Sequence, residues 1–187
     1  AVGLSETELR KLRAVARSLH VPASSLYRLI DFESRWGVRA RNPRSSATGL
    51  LQWVEGTAKG LGTSTNAIAR MGVLDQLGLV ERHLKKFGGR LTGNLPTSLY
   101  MAVFYPVAMG WGVDTAFPAS VQRANPGIRT VGDYVARVEA RPVPVELEEG
   151  PLARRIAPRL PPSTSSVIAV LGVGALLAAG IAVFRRT

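Results

Sequence analysis

The chain reads as a mainly α-helical domain over residues 1–140, then a proline-rich flexible linker over 141–164 and a C-terminal transmembrane anchor over 165–187. Three observations predict this division. Within the first 140 residues apolar side chains recur at helical spacing, in segments separated by Pro, Gly and cap residues. Between Arg141 and Thr164 stand Pro142, Pro144, Pro151, Pro158, Pro161 and Pro162, each removing a backbone donor and forbidding regular helix. Residues 167–184, beginning at Val167 and closing at Phe184, form an uncharged run of 18 between a serine-rich stretch and Arg185-Arg186.

At 187 residues the chain has room for one domain with a sizeable core plus appendages. It contains no cysteine, which excludes a disulfide framework and a thiolate metal site. His20 and His83 lie far apart with no second ligand at His-x-x-x-His spacing, so neither a metal nor a cofactor is expected. The net charge is +11, with 18 basic and 10 acidic residues in 1–140 and 6 and 3 in 141–187. Such an excess concentrates anionic partners. Peptidoglycan with its peptide carboxylates, anionic lipid and nucleic acid all qualify, as does a merely solvated basic face.

Ser5-Glu6-Thr7-Glu8 has the form of a capping box, and Leu9, Leu12, Ala16 and Leu19 follow on one face of a helix over 6–19. No apolar signal-peptide core precedes it, so an ordinary export signal is not expected, and the start without methionine fits removal of an initiator. Val21-Pro22 breaks the chain, Ala23-Ser24-Ser25 supplies cap chemistry, and the next helix runs over 25–36 until Gly37. On it Leu26, Leu29 and Ile30 form a stripe whose next member, at i+7, is Glu33. A carboxyl thus stands where a leucine is expected. Burial disfavours its ionised form, so it should keep a proton near neutral pH and be able to donate it to a leaving oxygen. A register shifted by one residue would instead leave Glu33 in solvent beside Arg35 and Arg39. Asp31 is about 200° round the helix from Glu33 and points elsewhere.

The polar segment 39–46 suits a loop at the rim of a cleft, and the turn Gly49-Leu50-Leu51-Gln52 follows. A short helix over 55–61 would expose Glu55 at its start, and Thr65-Asn66 could cap another short turn to Met71. Leu74, Leu77, Val80 or Glu81, Leu84 and Phe87 mark a clearer helix ending at Gly88-Gly89. Pro96-Thr97-Ser98 starts a helix over 97–105, residues 112–127 are weakly periodic, and 130–139 forms a last short helix. Trp53, Tyr100, Phe104, Tyr105 and Trp111 offer flat faces for sugars or fill the core. As a polyproline-like chain the linker would reach about 70 Å. As a helix the run 167–184 would span about 27 Å, close to a bilayer's hydrocarbon thickness. Small residues at Gly174/Ala178 and Ala175/Ala179 permit close helix packing, and arginines at both ends leave the orientation open.

Glu33-Ser34, the loop 42–46 and Ala47-Thr48-Gly49-Leu50-Leu51-Gln52, with 19 positions from Glu33 to Gln52, together resemble the signature of the soluble lytic transglycosylase domain, which has a goose-type-lysozyme-like fold. The later Thr57-Ala58-Lys59-Gly60-Leu61-Gly62 looks most like phage and prophage members. The resemblance covers roughly residues 20–112. It implies cleavage of the β-1,4 bond between N-acetylmuramic acid and N-acetylglucosamine in peptidoglycan. In that family one glutamate protonates the glycosidic oxygen and then takes the proton of the muramic 6-hydroxyl as that hydroxyl closes onto C1, leaving a 1,6-anhydro end, and the resemblance implies the same here.

Carried over residue by residue, the resemblance implies Glu33 as the catalytic group and Ser46, Gly49, Leu50 and Gln52 as sugar-site residues; Gln52 could equally tie down its own turn. The family's Ala-Tyr-Asn-Ala-Gly motif, whose tyrosine reaches toward the glutamate, is replaced here by Ala102-Val103-Phe104-Tyr105-Pro106. Tyr105, or Tyr100 in its place, is the expected counterpart. Independently of the family, glycoside hydrolysis commonly uses two carboxylates. None lies between Glu33 and Gln52, which favours attack by the substrate's own hydroxyl over hydrolysis. The expected partners are therefore glycan strands, a lipid membrane through residues 167–184, and other virion or envelope proteins. The expected place is a virion and, on infection, the host envelope. A cell-encoded wall remodeller serving a secretion apparatus and a non-enzymatic structural or DNA-contacting virion protein are the alternatives.

Overall fold

A computed structural model describes residues 2–148. Ser5 opens α1 (Glu6–Leu19) as its spacing predicts: the Glu8 N–H donates to Ser5 Oγ, and the Ser5 N–H donates to Glu8 Oε2 at 2.8 Å. Leu9, Leu12, Val15, Ala16 and Leu19 are buried, and His20 closes the helix in the left-handed conformation.

The second helix, α2 (Ala23–Ser34), is the centre of the fold. From Ser24 to Ser34 every residue is buried except Arg28 and Phe32, which are half-buried, because α1 packs on one side and the last helix on another. A helix enclosed in this way takes polar side chains into the core, and each needs a partner. The Ser34 hydroxyl donates to Ile30 O at 3.2 Å, and Asp31, on a different face from Glu33, meets Arg141 at 2.5 Å.

This helix ends before the expected stop at Gly37. Arg35 (φ 53) and Trp36 (φ 62) are both left-handed, a conformation that costs a non-glycine residue roughly 1–2 kcal/mol. Burial of the Trp36 indole against Tyr27, ring centroids 5.0 Å apart, offsets the cost. Gly37 then lets the turn pass close to Ser34, whose carbonyl oxygen would lie 3.0 Å from a Cβ at position 37.

In the loop that follows, Thr48 pairs with both Arg41 and Trp53, and Thr48 and Trp53 exchange two 3.0 Å backbone bonds that close the turn over 49–52. These are isolated bridges; among the described residues there is no strand, and the fold class is α. Helices α3 (Glu55–Gly60) and α4 (Thr65–Ile68) follow; α3 starts after Val54 with no side-chain cap, and α4 is capped by Ser64, whose Oγ accepts from the Ala67 N–H, and not by Thr65-Asn66 as expected. Glu55 is half-buried rather than exposed: it accepts from the Thr65 hydroxyl at 2.7 Å and the Thr65 N–H at 3.0 Å, which hold its carboxyl below the usual range. The longer α5 (Val73–Lys85) lies against α1.

Helix α6 (Thr97–Phe104) stops at the Pro106 turn, where the missing N–H forbids another helical bond. The weakly periodic stretch 112–127 contains a six-residue helix, α7 (Ala119–Ala124), too short and with only Val121 buried to show a stripe. Thr130 and Asp133 form a second capping box at the start of α8 (Val131–Glu139), which packs on α2 and α6 through Val131, Tyr134 and Val138.

The folded body continues past the boundary expected at residue 140. Arg28 donates to Arg141 O, Arg13 donates to Glu146 O, and Leu147 is buried, so 141–148 straps α1 and α2 instead of opening a free tether. The prolines permit this, because an extended strap needs no helical donors. The rest of the linker and the run 167–184 lie outside the described residues; among those described, no helix is long and apolar enough to cross a membrane.

Candidate active site

Glu33 sits in the last turn of α2, 7% exposed, at the floor of a cleft with about 680 Å³ of empty space, part of it open solvent at the mouth. The cleft is lined by Phe32, Leu51 and Gln52, by Val103 and Phe104, by Ala124, Asn125, Pro126 and Ile128, and, from α8, by Tyr134 and Arg137. Glu33 is the only carboxyl among the described residues that line it. Burial pushes it up to about 7; the Tyr134 hydroxyl, which donates to Oε1 at 2.8 Å, pulls in the opposite direction without cancelling the effect.

Tyr134 is the tyrosine that reaches the glutamate. It is fully buried, stacked on Phe104 at 4.1 Å and edge-on to Phe32 at 5.2 Å. Burial first, then the charge of Glu33, raises its hydroxyl far above the ordinary tyrosine range, so it stays a donor. The two tyrosines expected in this role lie elsewhere. Tyr100 is buried and donates to Glu139, and Tyr105 packs edge-on against Trp111 and Phe117. A signal for Tyr134 was present: Val131, Tyr134 and Val138 share one helical face, and a buried tyrosine hydroxyl requires an acceptor.

The turn over 49–52 is built from inside. Gln52 lines the cleft, but its Nε2 donates to Gly49 O at 3.0 Å and Ala40 O at 3.2 Å, so it ties down its own turn while its backbone is held at φ 50. Gly49 (φ 77) and Leu50 face inward. A Cβ on Gly49 would meet Gln76 Oε1 at 2.5 Å, and the Leu50 N–H donates to that same oxygen at 2.9 Å. Gln76, which sequence reasoning missed, is fully buried; its Nε2 serves the carbonyls of Val38, Ile68 and Met71. Ser46 lies on the exposed loop and accepts from the Glu55 N–H, away from the cleft lining. Of the sequence-derived site residues, Glu33 and Gln52 therefore meet in one cleft, whereas Ser46, Gly49, Leu50, Tyr100 and Tyr105 do not line it.

A proton-bearing acid held by one neutral donor, in an open groove with aromatic walls, can protonate an oxygen and take a proton back. No group of three or more His, Asp or Glu side chains that could hold a metal ion converges among the described residues. Comparison with protein-family models, with curated proteins and with solved structures gives no match.

Proposed function

We propose that the chain is a peptidoglycan lytic transglycosylase in which Glu33 serves as both acid and base. The observation that carries the reading is a lone cleft carboxyl, buried and raised to about 7, with Tyr134 fixed on one of its oxygens. Two-carboxylate hydrolysis requires a second acid flanking the bond. The lining supplies none, which leaves the substrate's own hydroxyl as the nucleophile.

In this mechanism Glu33 gives its proton to the glycosidic oxygen as the bond from that oxygen to C1 of the muramic residue breaks. The 6-hydroxyl oxygen of the same residue bonds to C1, and its proton passes to the Glu33 carboxylate. The acid is restored and no water is consumed. Tyr134 donates to the carboxylate formed between the two transfers, while Phe32, Phe104 and Leu51 keep the groove dry enough for Glu33 to hold its proton.

The proposal extends to place. A body of this kind anchored through residues 167–184 would act at an envelope, as a virion component delivering a genome or as a cell's own wall remodeller; the sequence resemblance favours the first. The test is digestion of purified peptidoglycan by the full chain and by Glu33→Gln, with product ends read by mass. Anhydro ends, lighter than reducing ends by one water and absent with the variant, are expected. Reducing ends would replace the proposal with hydrolysis, and no release of fragments would remove it.

A further inference from the structure

Arg137 follows Tyr134 by one turn on α8 and lines the same cleft. Its Nη2 donates to Gly127 O at 3.0 Å, and among the described residues the guanidinium makes no other hydrogen bond and no ion pair. Gly127 has φ 80, and a Cβ there would collide with the Arg137 guanidinium. The bare backbone leaves room for the exposed Arg137 side chain to lie against this turn. A guanidinium has five donors in fixed geometry and takes carboxylates through two at once. Arg137 is an exposed cation at the cleft, tethered through one nitrogen, whose other donors bond no described residue.

We infer that Arg137 forms a subsite for a carboxylate of the stem peptide carried by the muramic lactyl group, making the cleft selective for peptide-bearing over bare glycan. This rests on the reading of the cleft as a peptidoglycan site. Among the described lining residues the one carboxyl is Glu33, which bonds Tyr134 and makes no ion pair with Arg137, so the fork has no carboxylate partner in the wall. A general attraction between a basic protein and an acidic peptide is the rival cause, and it is separable because it does not depend on one position.

The test measures binding of the full-length Glu33→Gln chain to labelled glycan strands with their peptides and to strands stripped by an amidase. Peptide-bearing strands should bind about tenfold more tightly, the effect expected of one charge-assisted contact. Adding Arg137→Gln should bring the ratio to within about twofold, Arg137→Lys should keep part of it, and Arg90→Gln, an exposed arginine off the cleft, should leave it intact. Equal binding of the two strands, a ratio that survives Arg137→Gln, or an equal loss with Arg90→Gln would each overturn the inference. Because the measurement uses an inert chain, it stands apart from the chemistry. A wild-type protein that releases no fragments would sink the transglycosylase reading while leaving an Arg137-dependent ratio standing.

Discussion

The Tyr134 hydroxyl and Glu33 Oε1 lie 2.8 Å apart although 101 positions separate them in the chain. The bond leaves Glu33 Oε2 without a hydrogen-bond partner among the described residues. Since a neutral phenol donates to the ionised carboxyl more strongly than to the protonated one, the pair holds Glu33 near neutrality instead of letting burial drive it higher.

The first prediction concerns rate against pH. The proton on Glu33 is required for cleavage, so kcat/KM should fall as pH rises through about 7. Tyr134→Phe keeps the ring packing but removes the donor to the ionised form, so the descending limb should move to higher pH. Glu33→Gln should lower the rate by about 10³-fold or more, both transfers being lost. Muropeptide release over pH 5–9 checks all three; a limb that Tyr134→Phe leaves in place would separate the hydroxyl from the carboxyl's titration.

Stability should carry the opposite signature. The folded-state value of Glu33, about 7, lies above the ordinary 4.5, so its contribution is fully present below 4.5 and is lost as pH rises toward and through 7. Glu33→Gln has no such loss. Relative to wild type it should become more stable between pH 4.5 and 8, by up to about 3 kcal/mol. Urea denaturation at the two pH values measures the difference, and a gap that does not grow with pH would contradict the burial of the carboxyl.

Gln76 should matter more to the cleft than its distance in sequence suggests. Gln76→Leu strands the Leu50 N–H and the carbonyls of Val38, Ile68 and Met71, at a cost of about 2–4 kcal/mol. Gly49→Ala adds a methyl 2.5 Å from Gln76 Oε1 and 2.8 Å from Ile68 Cγ2 on left-handed backbone, and should cost about 2 kcal/mol or more. Thermal unfolding of the two variants, with activity below the transition, tests whether Gln52 loses its place with them.

The strap over 141–148 should prove part of the folded body. Arg141→Gln leaves Asp31, whose side chain is 3% exposed, without its ion pair, and should cost about 3 kcal/mol. Adding Asp31→Asn should recover a large part of that loss, since no buried charge then remains. A double-mutant cycle by denaturant unfolding reads the coupling, and additive costs would detach the strap from α2.

Local rules reached far in this chain. The boxes Ser5/Glu8 and Thr130/Asp133 are three-residue patterns whose bonds form within a single turn, so α1 and α8 could be placed from sequence alone. The stripe Leu26, Leu29, Ile30 put Glu33 on a buried face for the same reason: helical periodicity decides which side chains share a face. What escaped was non-local or too short. The six residues of α7 show no stripe, the end of α2 was set by burial of Trp36 and not by Gly37, and the strap looked like linker because proline content does not report a packing partner.

Sequence by itself determined the helical class, most helix starts, and the placement of one acid among apolar side chains, because each depends on residues a few positions apart. Tertiary structure alone decided that Tyr134, not Tyr105 or Tyr100, meets that acid, that Gln76 holds the 49–52 turn, and that Arg137 shares the cleft. Those meetings depend on how α2, α5 and α8 pack, and packing is settled by the joint fit of many side chains, which no single spacing along the chain encodes.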